Sequence, residues 1–474
     1  MQPHFENTIC TPASARGGAI AVVRVSGSDA IACVDRIFSG RASLADAPGY
    51  SLHFGTVREA DGSPLDEVVV SVYRAPRSYT GENAAEIACH GSDYIVSRIL
   101  ALLCENGAQM AAPGEFTQRA YVHGKMDLSQ AEAVADLIAA QTAAAHRIAF
   151  KQLKGGFSEE LSGMRAELLH LASLMELELD FGDEEVEFAD RSQLCELVEK
   201  VLAHCEKLIE SFRLGNAIKN GVPVAIVGNT NSGKSTLLNA LLGENRAIVS
   251  DIAGTTRDTI EETCNLDGVL FRFIDTAGLR QSDDTIERIG IERAYEKLSA
   301  AQLILAMLDL TQPLDDLLAS ASHIAERATD GQQLVFLLNK ADAVPVAVST
   351  AARRAFSPLL VAPGRQLYTI SAKAGLGLED LRPALAATWR DLDTAAETSL
   401  VTNARHLAAL QNAAIALRRV RDGLGTGSAA APGIPTDLLA QDLRESLYHL
   451  GSITGEITPD EVLGNIFKNF CIGK

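Results

Sequence analysis

The stretch Gly228-Asn229-Thr230-Asn231-Ser232-Gly233-Lys234-Ser235 has the spacing G-x-x-x-x-G-K-S. An apolar run, Val222 to Val227, leads into it, and a helical stretch, Thr236 to Leu242, leads out. In that strand–loop–helix setting the glycines let backbone N–H groups close around phosphate oxygens. Lys234 is expected to reach the outer phosphates, and the Ser235 hydroxyl to ligate Mg2+. A chance glycine turn does not explain a loop with both flanks in place.

Three later segments choose the nucleotide. Asp275-Thr276-Ala277-Gly278 follows the apolar run Leu270 to Ile274, which suits a carboxylate near Mg2+ and a glycine N–H near the terminal phosphate. Asn339-Lys340-Ala341-Asp342 follows Leu334 to Leu338, and Ser371-Ala372-Lys373 follows Leu367 to Ile370. Asp342 can accept two hydrogen bonds, from the N1–H and the exocyclic amine of guanine. Adenine offers no such donor pair and would leave the carboxylate unsatisfied. Each short segment is weak alone; all four in order, each after an expected strand, point to a Ras-like P-loop GTPase domain. Its fold class is a doubly wound α/β sheet with GTP or GDP at the strand ends. Where Ras-like switches carry a water-orienting glutamine, this chain has Leu279, so hydrolysis needs another orienter and another positive charge. Glu287 is the candidate orienter.

The chain has 474 residues, more than one core holds, so several domains are expected. Its hydrophobic fraction of 47% suits globular folding, and no apolar run is long enough to span a bilayer. No export signal opens it, and its eight cysteines are scattered without metal spacing, so a cytoplasmic protein with reduced thiols is expected. A net charge of −19 argues against a surface that grips nucleic acid all over, though not against a local patch or a basic partner.

Residues 1–125 mix short β-like runs (Ala19 to Val25, Val68 to Val72, Ala85 to Cys89) with a helical stretch, Tyr94 to Cys104, and read as an α/β domain. Helical stripes follow in 126–220: Phe157, Leu161, Met164, Leu168, Leu171, Met175 and Leu179, then Leu194, Leu197, Val201, Cys205, Leu208 and Phe212. After a G domain at 221–385, residues 386–474 carry two more, Leu407–Leu410–Ala414–Leu417–Val420 and Leu439–Leu443–Leu447–Leu450. The simplest arrangement inserts the GTPase between two halves of one helical domain, giving a multidomain α/β plus α protein.

The chain resembles the tRNA modification GTPases of the MnmE (TrmE) family over essentially its whole length. The resemblance rests on Arg16-Gly17-Gly18, Val23-Arg24-Val25-Ser26-Gly27, Tyr79-Thr80-Gly81-Glu82-Asn83, and Pro113 to Ala120 (PGEFTQRA). It rests also on Gly124 to Ala133 (GKMDLSQAEA), Asp251-Ile252-Ala253-Gly254-Thr255-Thr256-Arg257-Asp258, Asp275 to Arg280, and the ending Phe470-Cys471-Ile472-Gly473-Lys474. The resemblance implies a homodimer joined through N-terminal domains that bind a tetrahydrofolate derivative (5-formyl- or methylene-tetrahydrofolate). It implies a flavoprotein partner, MnmG (GidA), assembled as a heterotetramer, and a carboxymethylaminomethyl or aminomethyl group placed on carbon 5 of the wobble uridine of certain tRNAs. By the same resemblance, K+ would stand in for an arginine finger, held by Asn231, Ser250, Ile252 and Thr255, with Ser235 and Thr256 on Mg2+ and Glu287 orienting water. Arg24, Glu86, Lys125 and Lys474 match the folate positions; Cys471 is either a nucleophile for one-carbon chemistry or packing for the tail. Two positions depart from the family pattern: Ser250 replaces a frequent threonine, and Ala15 a glycine before Arg16. A ribosome-assembly switch would need a basic appendage that residues 386–474 lack; a small-molecule folate transferase with a regulatory GTPase is the third reading.

Overall fold

The computed structural model describes residues 7–15, 17–180, 191–243, 262–274, 301–329, 331–389, 399–425, 436–456, 466 and 470. Backbone contacts divide the chain into two units: residues 1–138, 151–198 and 416–474, and residues 139–150 and 199–415.

In the first unit, alternation builds a sheet with one covered face. Its strands are β1 (Ile9–Pro12), β2 (Ile20–Ser26), β3 (Phe38–Gly40), β4 (Ser51–Arg58), β5 (Pro64–Tyr73), β6 (Ala84–His90) and β7 (Gln109–Met110), in the order β3-β4-β5-β6-β2-β1-β7. All neighbours are antiparallel except β1 and β7. Val68, Val70 and Val72 of β5 and Val23 and Val25 of β2 face inward, against helices α1 (Ala30–Ile37) and α2 (Asp93–Glu105). The period of two turns the intervening residues outward. Leu52, Phe54 and Ile20 are therefore 72%, 67% and 68% exposed, and Val69 is 37% exposed, on the face opposite α1 and α2.

Behind the sheet edge, helix α3 (Glu115–Val122) carries Arg119, whose side chain is fully buried. Its guanidinium donates to Glu82 (3.1 Å), Glu115 (2.8 Å), and the carbonyl and side chain of Asn7 (both 2.8 Å). Glu82 also accepts from Ser26 Oγ at 2.8 Å. Replacing the guanidinium would strand two nearly buried carboxylates, a loss of about 3–5 kcal/mol. The PGEFTQRA segment thus ties the N-terminal strand, the Glu82 loop and α3 together.

The chain continues through α4 (Leu128–Ala139) and α5 (Ala143–Leu153) to α6 (Gly156–Asp180) and α7 (Arg191–Asn220). Phe157, Leu161, Met164, Leu168, Leu171 and Met175 of α6 are buried, and α6 packs on the helix Thr436–Thr454, whose Leu439, Leu443, Leu447 and Leu450 are buried too. The expected stripe on α7 shifts slightly. Val198 and Leu202 are buried, whereas Leu197 and Phe212 are only half-buried. A straight helix drifts past a strict seven-residue repeat, which moves the buried line across its surface. Near the chain's end, Ile466 and Phe470 pack with Tyr121 and Met126 around Leu128 and Ala131.

The second unit holds a six-stranded sheet of β8 (Val222–Gly228), β9 (Glu262–Leu266), β10 (Val269–Phe273), β11 (Leu303–Asp309), β12 (Gln333–Asn339) and β13 (Arg365–Thr369), in the order β13-β12-β11-β8-β10-β9. Every pairing is parallel except β9 with β10. The inner strands are continuous apolar runs because helices cover both faces. Helix α8 (Lys234–Leu242) and the helix Leu378–Ala387 pack on one face, and the helix Leu314–Ala325 packs on the other.

Candidate active site

Strand β8 lies between β10 and β11, so its carboxyl end opens where the strand order reverses direction, the usual ligand crevice of such sheets. Gly228 ends it. A Cβ there would sit 2.3 Å from the Met307 carbonyl oxygen, so β11 can pass this close only to a glycine. At the other end of the loop Gly233 caps α8 with a φ of 100°, a left-handed turn that suits glycine. Between them Asn231 also takes a positive φ, 63°. Successive bends of this kind aim N–H groups into one concavity at a helix N-terminus, a cradle for phosphate. Asn231, Ser235 and Thr236 are exposed, while Ser232 is buried beneath the loop.

Lys234 folds back over this cradle, its Nζ donating to the carbonyls of Gly228 and Asn229 at 2.9 Å each. Burial lowers its pKa from the ordinary lysine range. A phosphate anion in the loop would compensate that desolvation directly.

Asn339 knits the loops together. Its side chain is almost wholly buried; Nδ2 donates to the Ser232 carbonyl at 2.8 Å, and Oδ1 accepts from the Ala372 N–H at 2.9 Å. One amide thus joins the phosphate loop, its own segment and Ser371-Ala372-Lys373. A Cβ on Gly233 would come within 2.3 Å of that Nδ2, so the second loop glycine is needed twice over. Ser371 accepts the Ala374 N–H on its Oγ at 3.1 Å, and Ala341 N–H donates to the Ile370 carbonyl at 3.1 Å. Lys340 takes a left-handed φ of 63°, and its Nζ meets Asp309 Oδ2 at 2.7 Å. Burial alone would raise the Asp309 carboxyl, but hydrogen bonds from Lys340 and Thr311 outweigh it and hold it below the usual range. Asp342, in the short turn Ala341–Ala343, and Lys373 are exposed. Asp309 ends an apolar run, Leu303 to Leu308, with an Asp-x-Thr turn, a signal present in the sequence itself.

The first unit brings Arg24 and Glu86 together. They face each other across β2 and β6, with Arg24 Nε to Glu86 Oε1 at 2.9 Å. The guanidinium sits 5.5 Å from the Tyr79 ring centroid and 5.7 Å from that of Phe116. Tyr73 donates to Glu86 at 3.5 Å; burial, then Glu86, raises its phenol pKa and keeps it a donor. Tyr79 pairs with Thr117 at 2.9 Å, and Lys125 Nζ donates to the Pro76 carbonyl at 3.0 Å. Residues 76–79 therefore touch both Arg24 and Lys125. Arg24 is engaged with Glu86 rather than free, and the flanking rings were not foreseen because they are far apart in sequence. Ser250, Asp251, Ile252, Ala253, Gly254, Thr255, Thr256, Asp275, Thr276, Ala277, Gly278, Glu287, Cys471 and Lys474 lie outside the described residues.

A phosphate cradle, an Asn-Lys-Ala-Asp loop tied to it and a reversing parallel sheet define a P-loop GTP hydrolase domain. The TrmE N-terminal family ("GTP-binding protein TrmE N-terminus") matches residues 8–125, and the MnmE helical domain matches residues 128–471. A tRNA modification GTPase MnmE of Parabacteroides distasonis is 49% identical over 99% of this chain and 100% of its own; that of Bacteroides fragilis is 48% identical at the same coverage. The chain belongs to the MnmE family of tRNA modification GTPases. Among solved structures, the G domain of the T. maritima FeoB iron transporter is 24% identical over 35% of this chain and 97% of that one. Its TM-score of 0.26 is too low to bear on the fold, which rests on the strand order.

The Asn339 amide makes the site one unit. Asn339→Ala is expected to weaken GDP binding about 10- to 30-fold, since two buried hydrogen bonds at roughly 1 kcal/mol each are lost. Isothermal calorimetry reads this directly; an unchanged Kd would refute the linkage.

Proposed function

We propose that this protein is a K+-stimulated GTPase that modifies carbon 5 of the wobble uridine of certain tRNAs, together with a flavoprotein partner of the MnmG (GidA) type. The observation that carries the reading is that one chain holds both the Asn339-knit nucleotide site and the Arg24–Glu86 cluster, at 49% identity to a tRNA modification GTPase across its length.

In hydrolysis, the loop N–H groups and Lys234 hold the phosphates of GTP, and Asp342 selects guanine. Ser235 and Thr256 would hold Mg2+, which neutralises phosphate charge. Asn231, Ser250, Ile252 and Thr255 would hold K+, which supplies the positive charge of an arginine finger. Asn231 stands exposed at its left-handed bend beside the cradle, a fitting place for a side-chain oxygen on such an ion. Glu287 orients the attacking water in place of the glutamine that Leu279 excludes. A single turnover assay tests both assignments. Glu287→Ala should lower kcat at least about a hundredfold with GTP affinity nearly intact, and wild-type turnover should drop strongly when NaCl replaces KCl. Unchanged rates remove the corresponding role.

The Arg24–Glu86 cluster fits a tetrahydrofolate derivative, which supplies a one-carbon unit when bound. The half-buried Tyr79 ring offers stacking, and the Glu86 carboxylate, aligned by Arg24 and Tyr73, offers an acceptor to the donor-rich pterin. With Arg24 paired to Glu86, the anionic glutamate tail falls to Lys125 and Lys474. Cys471 is either a nucleophile for the one-carbon chemistry or packing for the tail.

The face bearing exposed Ile20, Leu52, Phe54 and Val69, with Phe54 and Val69 cross-strand neighbours, supports a homodimer through the N-terminal domain, since exposed apolar surface of this kind marks an interface. Sedimentation should give twice the chain mass, and Phe54→Asp should lower it toward one; a monomeric wild type would refute the dimer. The tRNA role has its own test. Mass analysis of tRNA nucleosides from cells lacking this protein should show loss of the wobble-uridine C5 side chain, and its retention would overturn the assignment.

A further inference from the structure

Guanine selection requires the Asp342 carboxylate to meet two donors at once, so the backbone that carries it must be held in one orientation. Three contacts hold it. Asn339 bonds the phosphate loop and Ala372, Ala341 bonds Ile370, and Lys340 bonds Asp309. The first two belong to the loops that surround the nucleotide. The third reaches to the neighbouring strand.

Asp309 is the last residue of β11 and lies in register with Asn339, and the next N–H, of Leu310, donates to the Asn339 carbonyl at 3.0 Å. Its two carboxylate oxygens serve different elements. Oδ1 accepts from the Thr311 N–H at 3.0 Å and from Thr311 Oγ1 at 2.7 Å, which locks the turn after β11. Oδ2 accepts from Lys340 Nζ at 2.7 Å. Lys340 is the residue with the left-handed φ of 63°, immediately before the turn that carries Asp342. A non-glycine residue stays in that region only when its surroundings hold it there. The pair is partly shielded, with the Asp309 side chain 11% and the Lys340 side chain 36% exposed, so its attraction exceeds that of an open surface pair.

We propose that Asp309 is a positioning residue for guanine recognition, acting through Lys340 to hold the Asn339–Asp342 loop in the orientation that lets Asp342 accept from both the ring N–H and the exocyclic amine. This rests on the guanine reading of that loop. The carboxylate bridges a turn already locked by Thr311 and a backbone bend that has no glycine to relieve it.

Calorimetry with GDP and with IDP, which lacks the exocyclic amine, tests this on the full-length protein. In the wild type GDP should bind more tightly than IDP. Asp309→Asn, with the Thr311 contacts retained, should weaken GDP binding about fivefold and IDP binding by less than about twofold, so the preference narrows. Lys340→Met combined with Asp309→Asn should bind GDP no more weakly than Lys340→Met alone, because one contact cannot be lost twice. Should thermal unfolding show that Asp309→Asn is not folded, Asp309→Glu, which keeps the charge but displaces the carboxylate, should narrow the preference in the same direction. Unchanged GDP affinity, an equal loss for both nucleotides, or additive effects in the double variant would overturn the proposal. A wild type that binds GDP no better than IDP would overturn the guanine reading itself.

Discussion

The nucleotide site depends on one buried carboxamide. Asn339 can donate and accept at once, and it spends both capacities on the backbones of two other loops. A buried amide left half-satisfied would carry a desolvation penalty of about 1–3 kcal/mol, so the three segments move together or not at all. This explains why Gly233 is required at a place where φ alone would already favour it: any side chain would collide with the amide that organises the site. Rigid placement matters here because the phosphate cradle is made of main-chain N–H groups, whose directions are set by the path of the loop and by nothing else.

A comparable constraint governs the first unit, with charge in place of an amide. Arg119 is fully buried and holds two carboxylates and the N-terminal strand, while Arg24 pairs with Glu86 a short way across the same sheet. The two arginines do different work. Arg119 has lost all solvent and secures the position of Glu82 and the Thr80 region; Arg24 stays partly exposed, framed by aromatic rings. The sheet beside them packs α1 and α2 on one face and presents Leu52, Ile20 and Phe54 on the other.

Much of this was legible beforehand. The phosphate loop, the order of the nucleotide segments and the strands before them follow from local pattern, because glycine spacing and apolar runs report what backbone each stretch can adopt. The helical stripes of α6 and the Thr436–Thr454 helix were legible for the same reason, and their packing on each other followed from each having one apolar face. β1, only four residues long and with no alternation, and β4, a run interrupted by His53 and Gly55, give little periodic signal. The role of Asp309 was missed as well: an acid at a strand end reads as a turn residue until its partner, on another strand, is known.

The amino-acid sequence by itself determined which chemistry this protein carries. A G-x-x-x-x-G-K-S loop, an N-K-x-D segment and a family-wide set of short segments are local facts about residue type and spacing, and local sterics and hydrogen-bonding capacity suffice to interpret them. Only the tertiary structure decided which groups hold which. That Asn339 joins three loops, that Lys340 leans on Asp309, and that Arg24 is already committed to Glu86 between two rings are facts of long-range approach. They arise when strands distant in sequence are laid in register, and no spacing along the chain encodes that distance.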